Sequence, residues 1–246
     1  EATTIRSSKW GIATDAIPEF MKRPGIILVS PAHPDMIIKA LTTERRYKIQ
    51  RPIANMIDFE DAFHLDVMKA LEGQKTLVEL RKGAINLETH DHLLTYDRTI
   101  DGENLLRIRI NGFNTPPVEE IQINGFPLSR SLFDFGLHCY HACKEFKKND
   151  LMGPYYVLPK MDLVKAELWV KIFQTTENYF KLPNKTIKCS VIIETLKGDF
   201  EIQETVFALA GGQKIEIEQM KKGETISFQN TYIESICSGR HDHTFD

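Results

Sequence analysis

Six short apolar runs, separated by stretches long enough to hold a helix, constrain the fold of this 246-residue chain more than any other feature. The runs are residues 25–30, 53–58, 105–110, 155–159, 189–194 and 232–237, the last being the weakest. Continuous apolar runs of this length are typical of parallel strands buried on both faces. Alternation of strands and helices predicts an α/β fold, either a doubly wound sheet or most of a (β/α)8 barrel.

Helical periodicity fills three of the gaps between the runs, at residues 34–41, 131–147 and 163–180. Apolar residues spaced three or four apart predict the face that each helix buries. The second helix is expected to bury Leu132, Phe135, Cys139 and Phe146, and the third Val164, Leu168, Trp169, Ile172 and Phe173. Residues 211–230 are polar and rich in Gly and Lys, which indicates an insertion or a hairpin.

The composition describes one ordinary soluble domain, or a domain and a half, with 42% hydrophobic residues and a net charge of −3. A charge so close to zero argues against binding to nucleic acid or to an anionic membrane surface. The apolar runs are too short to cross a bilayer. Four cysteines do not form a disulfide framework, so a reducing, intracellular compartment is expected.

Polar residues follow the predicted strands at the point where each strand ends. They are Asp58, Glu60 and Asp61 after the second run, Arg109 in the third, Lys160 after the fourth, Glu194 at the end of the fifth, and Gly239, Arg240, His241 and Asp242 after the sixth. The carboxyl ends of parallel strands meet at one edge of a sheet, so these groups are expected to surround one point. Any single carboxylate at a strand end is often only a helix cap or a solvated loop residue.

Two of these carboxylates and the arginine suggest a chemistry. A hard cation such as Mg²⁺ prefers carboxylate oxygens together with water and substrate oxygens, and Glu194 and Asp242 are candidates to supply them. Arg109 is a candidate to stabilise negative charge on a bound carbonyl oxygen. The spacing by itself predicts a metal-assisted α/β enzyme.

Several segments of the chain resemble malate synthase, in the shorter form found in plants, fungi and many bacteria. They are Met56–Asp61, Leu106–Phe113, Ser131–Leu137, Gly153–Lys160, Val191–Leu196 and Gly239–Asp242, and they occur in the family's order. Ser131–Leu137 and Gly153–Lys160 are the most specific, and the resemblance runs from about Pro18 to the end of the chain. The strand-end motifs are also similar to the wider superfamily that includes the citrate lyase beta subunit.

This resemblance implies a (β/α)8 TIM barrel that condenses acetyl-CoA with glyoxylate, giving malate and CoA. It implies that Glu194 and Asp242 hold Mg²⁺ and that Arg109 stabilises the enolate of acetyl-CoA. Glu60 and Asp61 are then expected to hold metal-bound waters. The compartment expected for the family is a peroxisome or glyoxysome, the cytoplasm or a mitochondrion.

Substrate contacts are expected from two places. Backbone amides near Gly239, Arg240 and His241 would bind the carboxylate of glyoxylate, as the resemblance implies. Lys160, at a strand end, is expected either to contact a substrate carboxylate or to pair with an acid such as Asp58.

The chain also departs from the family pattern. His241 stands where the family has tryptophan, Lys197 stands where it has proline, and Arg109–Phe113 reads Arg-Ile-Asn-Gly-Phe instead of Arg-Pro-Arg-Gly-Trp. Residues 1–246 are expected to form a partial TIM-barrel domain of about six β/α units. The family's N-terminal helical segment, its last two strands and its C-terminal helical domain, which carries the aspartate base, are expected to be absent.

Three functions therefore stay open. The chain is a malate synthase, or a portion of one that is continued in a longer protein or completed by another chain. Alternatively, it is a catalytically inactive structural or interaction subunit on the same scaffold. The third possibility is an acyl-CoA lyase of the citrate lyase beta type.

The segment His138–Cys143 carries two histidines and two cysteines within six residues. Its spacing fits no zinc pattern well, because the two pairs lie on different faces of the predicted helix. We therefore expect ordinary packing of the cysteines and exposed histidines.

Overall fold

The computed structural model describes residues 26–38, 53–60, 66–82, 106–149, 153–209, 226–227 and 231–234. The chain divides into two units, one spanning Arg23–Tyr156 and the other including Val157–Asp246. Each unit is treated below by itself.

The first unit is built on three parallel strands, β1 (Ile26–Pro31), β2 (Ile53–Asp58) and β3 (Leu106–Arg109). β2 pairs with both β1 and β3, and its register places Asp58 opposite Arg109. Strands that follow one another in the chain are thus neighbours in the sheet, as in a (β/α) barrel, whereas a doubly wound sheet reverses its strand order.

Helices follow these strands, as the alternation predicts. Residues 34–38 are helical after β1, α1 (Val67–Lys82) lies between β2 and β3, and α2 (Arg130–Asn149) follows β3. α2 confirms the helix predicted at residues 131–147, and α1 is an element that the sequence reasoning missed.

A small hairpin stands between β3 and α2. It pairs β4 (Val118–Ile123) with β5 (Phe126–Leu128) in an antiparallel ladder. Asn124 and Gly125 form its turn with φ values of 53° and 80°. Two successive positive φ angles suit an Asn-Gly turn, because Gly and Asn tolerate the left-handed region better than other residues.

The second unit repeats the alternation of strand and helix. Its elements are β6 (Tyr155–Leu158), which crosses the boundary between the units, α3 (Leu163–Phe180), β7 (Lys188–Ile192), α4 (Leu196–Phe200), α5 (Ile202–Leu209), β8 (Ile226–Ser227) and β9 (Thr231–Glu234). β7 pairs with β9 in parallel, and β8 pairs with β9 antiparallel.

All six predicted strands are therefore confirmed, and the third predicted helix coincides with α3. The fold is α/β, with the parallel strands and intervening helices of a partial (β/α)8 TIM barrel. Of the polar segment 211–230, only the two residues of β8 lie within the described part of the chain. No helix there has the length and apolar character needed to span a membrane.

The predicted buried faces of two helices need correction. Leu132 on α2 and Val164 and Leu168 on α3 are exposed, while Phe135, Cys139, Trp169 and Phe173 are buried as expected. The side chain of Phe146 lies outside the described residues, and Ile172 is half-buried.

The buried face of α3 differs from the predicted one, and it ends on a carboxylate. Its buried residues are Ala166, Trp169, Phe173 and Glu177. The carboxylate of Glu177 accepts hydrogen bonds from the backbone N–H groups of Lys185 (2.9 Å) and Ile187 (2.8 Å). These bonds satisfy the buried charge and tie α3 to the segment that leads into β7.

α1 approaches the residues after β1 so closely that only glycine fits at one position. A Cβ atom placed on Gly73 would lie 2.2 Å from the backbone oxygen of Ala32. Gly136, on α2, offers a contrast, because a Cβ there meets nothing within 4 Å.

We expect Gly73→Ala to lower the free energy of unfolding by about 1–3 kcal/mol, because the backbone of Ala32 must move to admit the methyl group. Gly136→Ala is the matched control and should raise the free energy of unfolding by about 0.5–1 kcal/mol, since alanine favours the helix. Urea unfolding of both variants measures the difference. Equal effects of the two substitutions would contradict the close approach of α1.

Candidate active site

Arg109 lies between two carboxylates at the carboxyl end of β3. Its Nη1 donates to Oδ2 of Asp58 at 3.1 Å, and its Nη2 donates to Oε2 of Glu60. The side chains of Arg109, Asp58 and Glu60 are only 12%, 6% and 2% exposed. We call this group the Arg109 clamp. Because two of its nitrogens are held, the guanidinium plane has a fixed orientation.

The loop after β2 holds the two carboxylates of the clamp in place. The backbone N–H of Glu60 donates to Oδ1 of Asp58 at 2.8 Å, so both oxygens of Asp58 are engaged. The N–H of Phe59 donates to the backbone oxygen of Arg109 at 2.9 Å. The clamp is thus an extension of the pairing between β2 and β3.

The motif that begins at Arg109 contains Gly112, and the space around this residue explains why a glycine stands there. A Cβ atom at Gly112 would lie 3.3 Å from Oε1 of Glu60 and 2.5 Å from Oδ1 of Asn114. A larger residue would therefore press on a carboxylate of the clamp.

A second polar cluster is hydrogen-bonded to the loop that carries the clamp, and the sequence did not predict it. Asp134 accepts two hydrogen bonds on Oδ2, from the backbone N–H of Asn111 (3.1 Å) and from its Nδ2 (2.7 Å). The same Nδ2 donates to the backbone oxygen of Phe59 at 3.0 Å. Ser131 donates its hydroxyl to the backbone oxygen of Asn111. The only signal in the sequence was that Ser131 and Asp134 belong to a specific family motif.

Burial raises the pKa of the Asp134 carboxyl from 3.8 to about 6, although the hydrogen bonds from Asn111 and the charge of Arg130 oppose the shift. Its Oδ1 is buried and has no hydrogen-bond partner among the residues that the structure describes. A carboxylate that exchanges water for an incomplete set of partners is destabilised in its charged form.

In the second unit, Glu194 and Lys160 are in contact. The backbone N–H of Lys160 donates to Oε1 of Glu194 at 2.9 Å, and Glu194 is exposed. Lys160 has a φ of 51°, in the left-handed region, and its backbone oxygen accepts a hydrogen bond from Nζ of Lys165 at 2.6 Å. Glu194 is not the cap of α4, because Thr195 fills that position by accepting the N–H of Gly198 at 3.0 Å.

The other predicted site residues, Asp61, Gly239, Arg240, His241 and Asp242, lie outside the described residues. Within the described part, no three His, Cys, Asp or Glu side chains are grouped so that they could hold a metal ion. The structure thus brings Arg109 together with Asp58 and Glu60, and separately Lys160 with Glu194. Convergence of Arg109, Glu194 and Asp242 on one cation stays a prediction.

The expectation for the His138–Cys143 segment is confirmed in part. Cys139 and Cys143 are buried free thiols whose sulfur atoms lie 3.2 Å apart. The expectation of exposed histidines is wrong for His138, which is buried with its Nδ1 2.9 Å from the hydroxyl of Tyr156. The hydroxyl satisfies the ring nitrogen, so the histidine can be buried.

These observations define an α/β protein with charged residues at the carboxyl ends of its parallel strands. Residues 105–214 match the family model for the malate synthase TIM barrel domain. The chain is 30% identical to malate synthase of Myxococcus xanthus and to malate synthase A of Escherichia coli, each over 85% of its length. It is 29% identical to glyoxysomal malate synthase of Glycine max over 84% of its length. The chain is therefore similar to malate synthases over most of its length, and its residues 105–214 match their TIM barrel domain.

The match covers only part of each relative. The aligned regions take up 36%, 37% and 35% of the three relatives, in the order given above. The chain thus spans about a third of the length of the curated relatives that it matches.

The raised pKa of Asp134 predicts a pH-dependent loss of stability. The folded state holds this proton more tightly than the unfolded state, so the contribution is fully present below pH 3.8 and is lost as the pH rises through about 6. We expect wild type to lose about 2 kcal/mol of unfolding free energy relative to Asp134→Asn between pH 4 and pH 7. Urea unfolding across that range measures it, and a pH-independent difference between the two proteins would contradict the shift.

Proposed function

We propose that this chain carries part of an Mg²⁺-dependent active site that condenses acetyl-CoA with glyoxylate to give malate and CoA, a reaction of the glyoxylate cycle. The match to the malate synthase TIM barrel domain and the similarity to malate synthases support the reaction class. The observation that carries the proposal is the Arg109 clamp, a buried and oriented guanidinium at the end of a parallel strand.

The role proposed for Arg109 follows from where negative charge develops. Removing a proton from acetyl-CoA places charge on the thioester oxygen, and attack on the aldehyde places charge on the new alkoxide. A donor already oriented toward such an oxygen stabilises it without reorganising, which is typically worth about 10²- to 10³-fold in rate. Asp58 and Glu60 supply that orientation by holding Nη1 and Nη2 of Arg109.

Glu194 has the donor chemistry that a magnesium site requires. It presents an exposed carboxylate, one oxygen of which accepts the N–H of Lys160. Hard oxygen ligands of this kind suit Mg²⁺. We assign Glu194 and Asp242 to hold the ion, and Glu60 and Asp61 to orient its waters. Bound Mg²⁺ would supply polarisation of the glyoxylate aldehyde.

The remaining assignments concern binding and location. Lys160 and the backbone of Gly239, Arg240 and His241 are proposed to bind the carboxylate of glyoxylate. The hydrogen bond between Lys160 and Glu194 supports a shared role for these two residues. We propose an intracellular location, in a peroxisome or glyoxysome, the cytoplasm or a mitochondrion. We also propose association with another chain, which the measurement of CoA release with copurifying chains tests.

We expect Arg109→Lys to lower the glyoxylate-dependent release of CoA from acetyl-CoA by about 10²-fold or more, because an ammonium group cannot reproduce the fixed guanidinium plane. Glu194→Gln should lower both the release of CoA and the binding of Mg²⁺ in the presence of glyoxylate. Glu167→Gln, an exposed carboxylate on α3, is the matched control and should change neither. Thiol release and titration calorimetry with Mg²⁺ are the measurements, on the chain alone and with any chain that copurifies with it.

The outcomes separate the three functions. Release of CoA that depends on glyoxylate, and that falls in Arg109→Lys, supports the synthase. Cleavage of malyl-CoA or citramalyl-CoA without condensation would indicate an acyl-CoA lyase instead. Absence of CoA release, with Mg²⁺ binding equal in wild type and Glu194→Gln, would favour the inactive structural subunit.

A further inference from the structure

The N-terminal part of α2 places two polar side chains in the core, where they bind the residue that is hydrogen-bonded to the loop of the Arg109 clamp. Ser131 and Asp134 are both fully buried. A buried hydroxyl and a buried carboxyl need partners, and both find them on Asn111. Ser131 donates to its backbone oxygen, and Asp134 accepts from its backbone and its side-chain N–H groups.

Asn111 passes this restraint to the loop that carries the clamp. With its orientation set by Asp134, its Nδ2 reaches the backbone oxygen of Phe59 at 3.0 Å. The N–H of Phe59 is bonded in turn to the backbone oxygen of Arg109. Phe59 is therefore held on both sides of its backbone, and it is the residue between the two carboxylates of the clamp.

Asp134 is also fixed from a third element. Nε2 of Gln74, on α1, donates to its backbone oxygen at 3.2 Å. α1 is thus joined to α2 at the residue whose side chain binds Asn111, and this bond helps to fix the backbone of Asp134.

We propose that Asp134 is a positioning residue for the Arg109 clamp, acting through Asn111 and the Phe59 backbone to set the two carboxylates that orient the guanidinium. Its consequence for catalysis rests on the proposed function, but the restraint on Arg109 does not.

The energetics of Asp134 support this role. Its Oδ1 is buried and accepts no hydrogen bond from the described part of the chain, and burial raises the pKa of the carboxyl to about 6. A group retained for stability alone would not need an ionisable side chain here, since burial disfavours its charged form. Local departures from good packing chemistry are typical of functional sites.

The test follows the guanidinium protons of Arg109 by NMR hydrogen exchange in a chain labelled with ¹⁵N-arginine, with Arg109→Lys to assign the signals. Asp134→Leu removes the acceptor, and we expect exchange at Arg109 to become about tenfold faster or more. Asp134→Asn keeps an acceptor oxygen and should stay within about twofold of wild type. Asn111→Ala cuts the link to Phe59 and should resemble Asp134→Leu, which keeps the test decisive if Asp134→Leu fails to fold.

Glu177→Leu is the matched control. Glu177 is also a buried helical carboxylate that accepts two N–H groups, but it lies in the other unit and both of these N–H groups belong to the segment before β7. It should destabilise the protein without changing exchange at Arg109. Equal acceleration in Glu177→Leu, or no change in both Asp134→Leu and Asn111→Ala, would overturn the inference.

Kinetics give a second measure. If the chain releases CoA, Asn111→Ala should lower kcat by about tenfold or more while the KM for acetyl-CoA changes little, because a misplaced guanidinium weakens the transition state more than the bound substrate. An unchanged kcat would count against the positioning role. A wild-type chain that releases no CoA, alone or with a chain that copurifies with it, and whose Mg²⁺ binding equals that of Glu194→Gln would refute the proposed function, and the exchange data would still decide the role of Asp134.

Discussion

The burial of one guanidinium between two carboxylates is the interaction on which the candidate site depends. Arg109 is almost removed from solvent, so without Asp58 and Glu60 it would be a destabilised charge. The pairing of β2 with β3 places Asp58 opposite Arg109, and a slip of one residue would turn these side chains to opposite faces. Strand register and the charged site are therefore set together.

The same burial makes the clamp useful. Charges act more strongly on one another and on a bound oxygen where water is scarce, and a group that is already oriented need not reorganise during a reaction. Such order has to come from neighbours. Here the orientation is fixed by the backbone of the loop after β2 and by Ser131 and Asp134 near the start of α2. These two polar residues are buried in a core that would ordinarily be apolar.

The sequence predicted the strands better than the helices, and it marked the strand-end residues of the clamp without predicting their contact. Parallel strands appear as continuous apolar runs, and the residues that follow them fall at one edge of the sheet, so Arg109 and Glu60 could be named in advance. α1 was missed because polar residues interrupt its apolar pattern, and two of them, Gln74 and Thr76, are buried. The pair Asn124 and Gly125 is a typical hairpin turn, so the hairpin of β4 and β5 was predictable from the sequence.

The inner support of the site could not be predicted from spacing. An aspartate on a helix usually faces solvent, and no pattern shows that Asp134 turns inward to meet Asn111. The predicted burial of Val164 and Leu168 is wrong for the converse reason. An apolar residue lies on the surface when its helix has a better face to bury. Side-chain direction is decided by tertiary contacts, which also decide where a buried charge is satisfied.

Each part of the candidate site is ordered by contacts within its own unit. The Arg109 clamp is held by β2, β3 and α2, whereas Glu194 is held by the backbone of Lys160 at the end of β6. The orientation of the Arg109 guanidinium and the position of the Glu194 carboxylate therefore have separate physical causes. A substitution in one unit can disturb one of these two arrangements and leave the other intact, so the roles proposed for Arg109 and Glu194 can be tested separately.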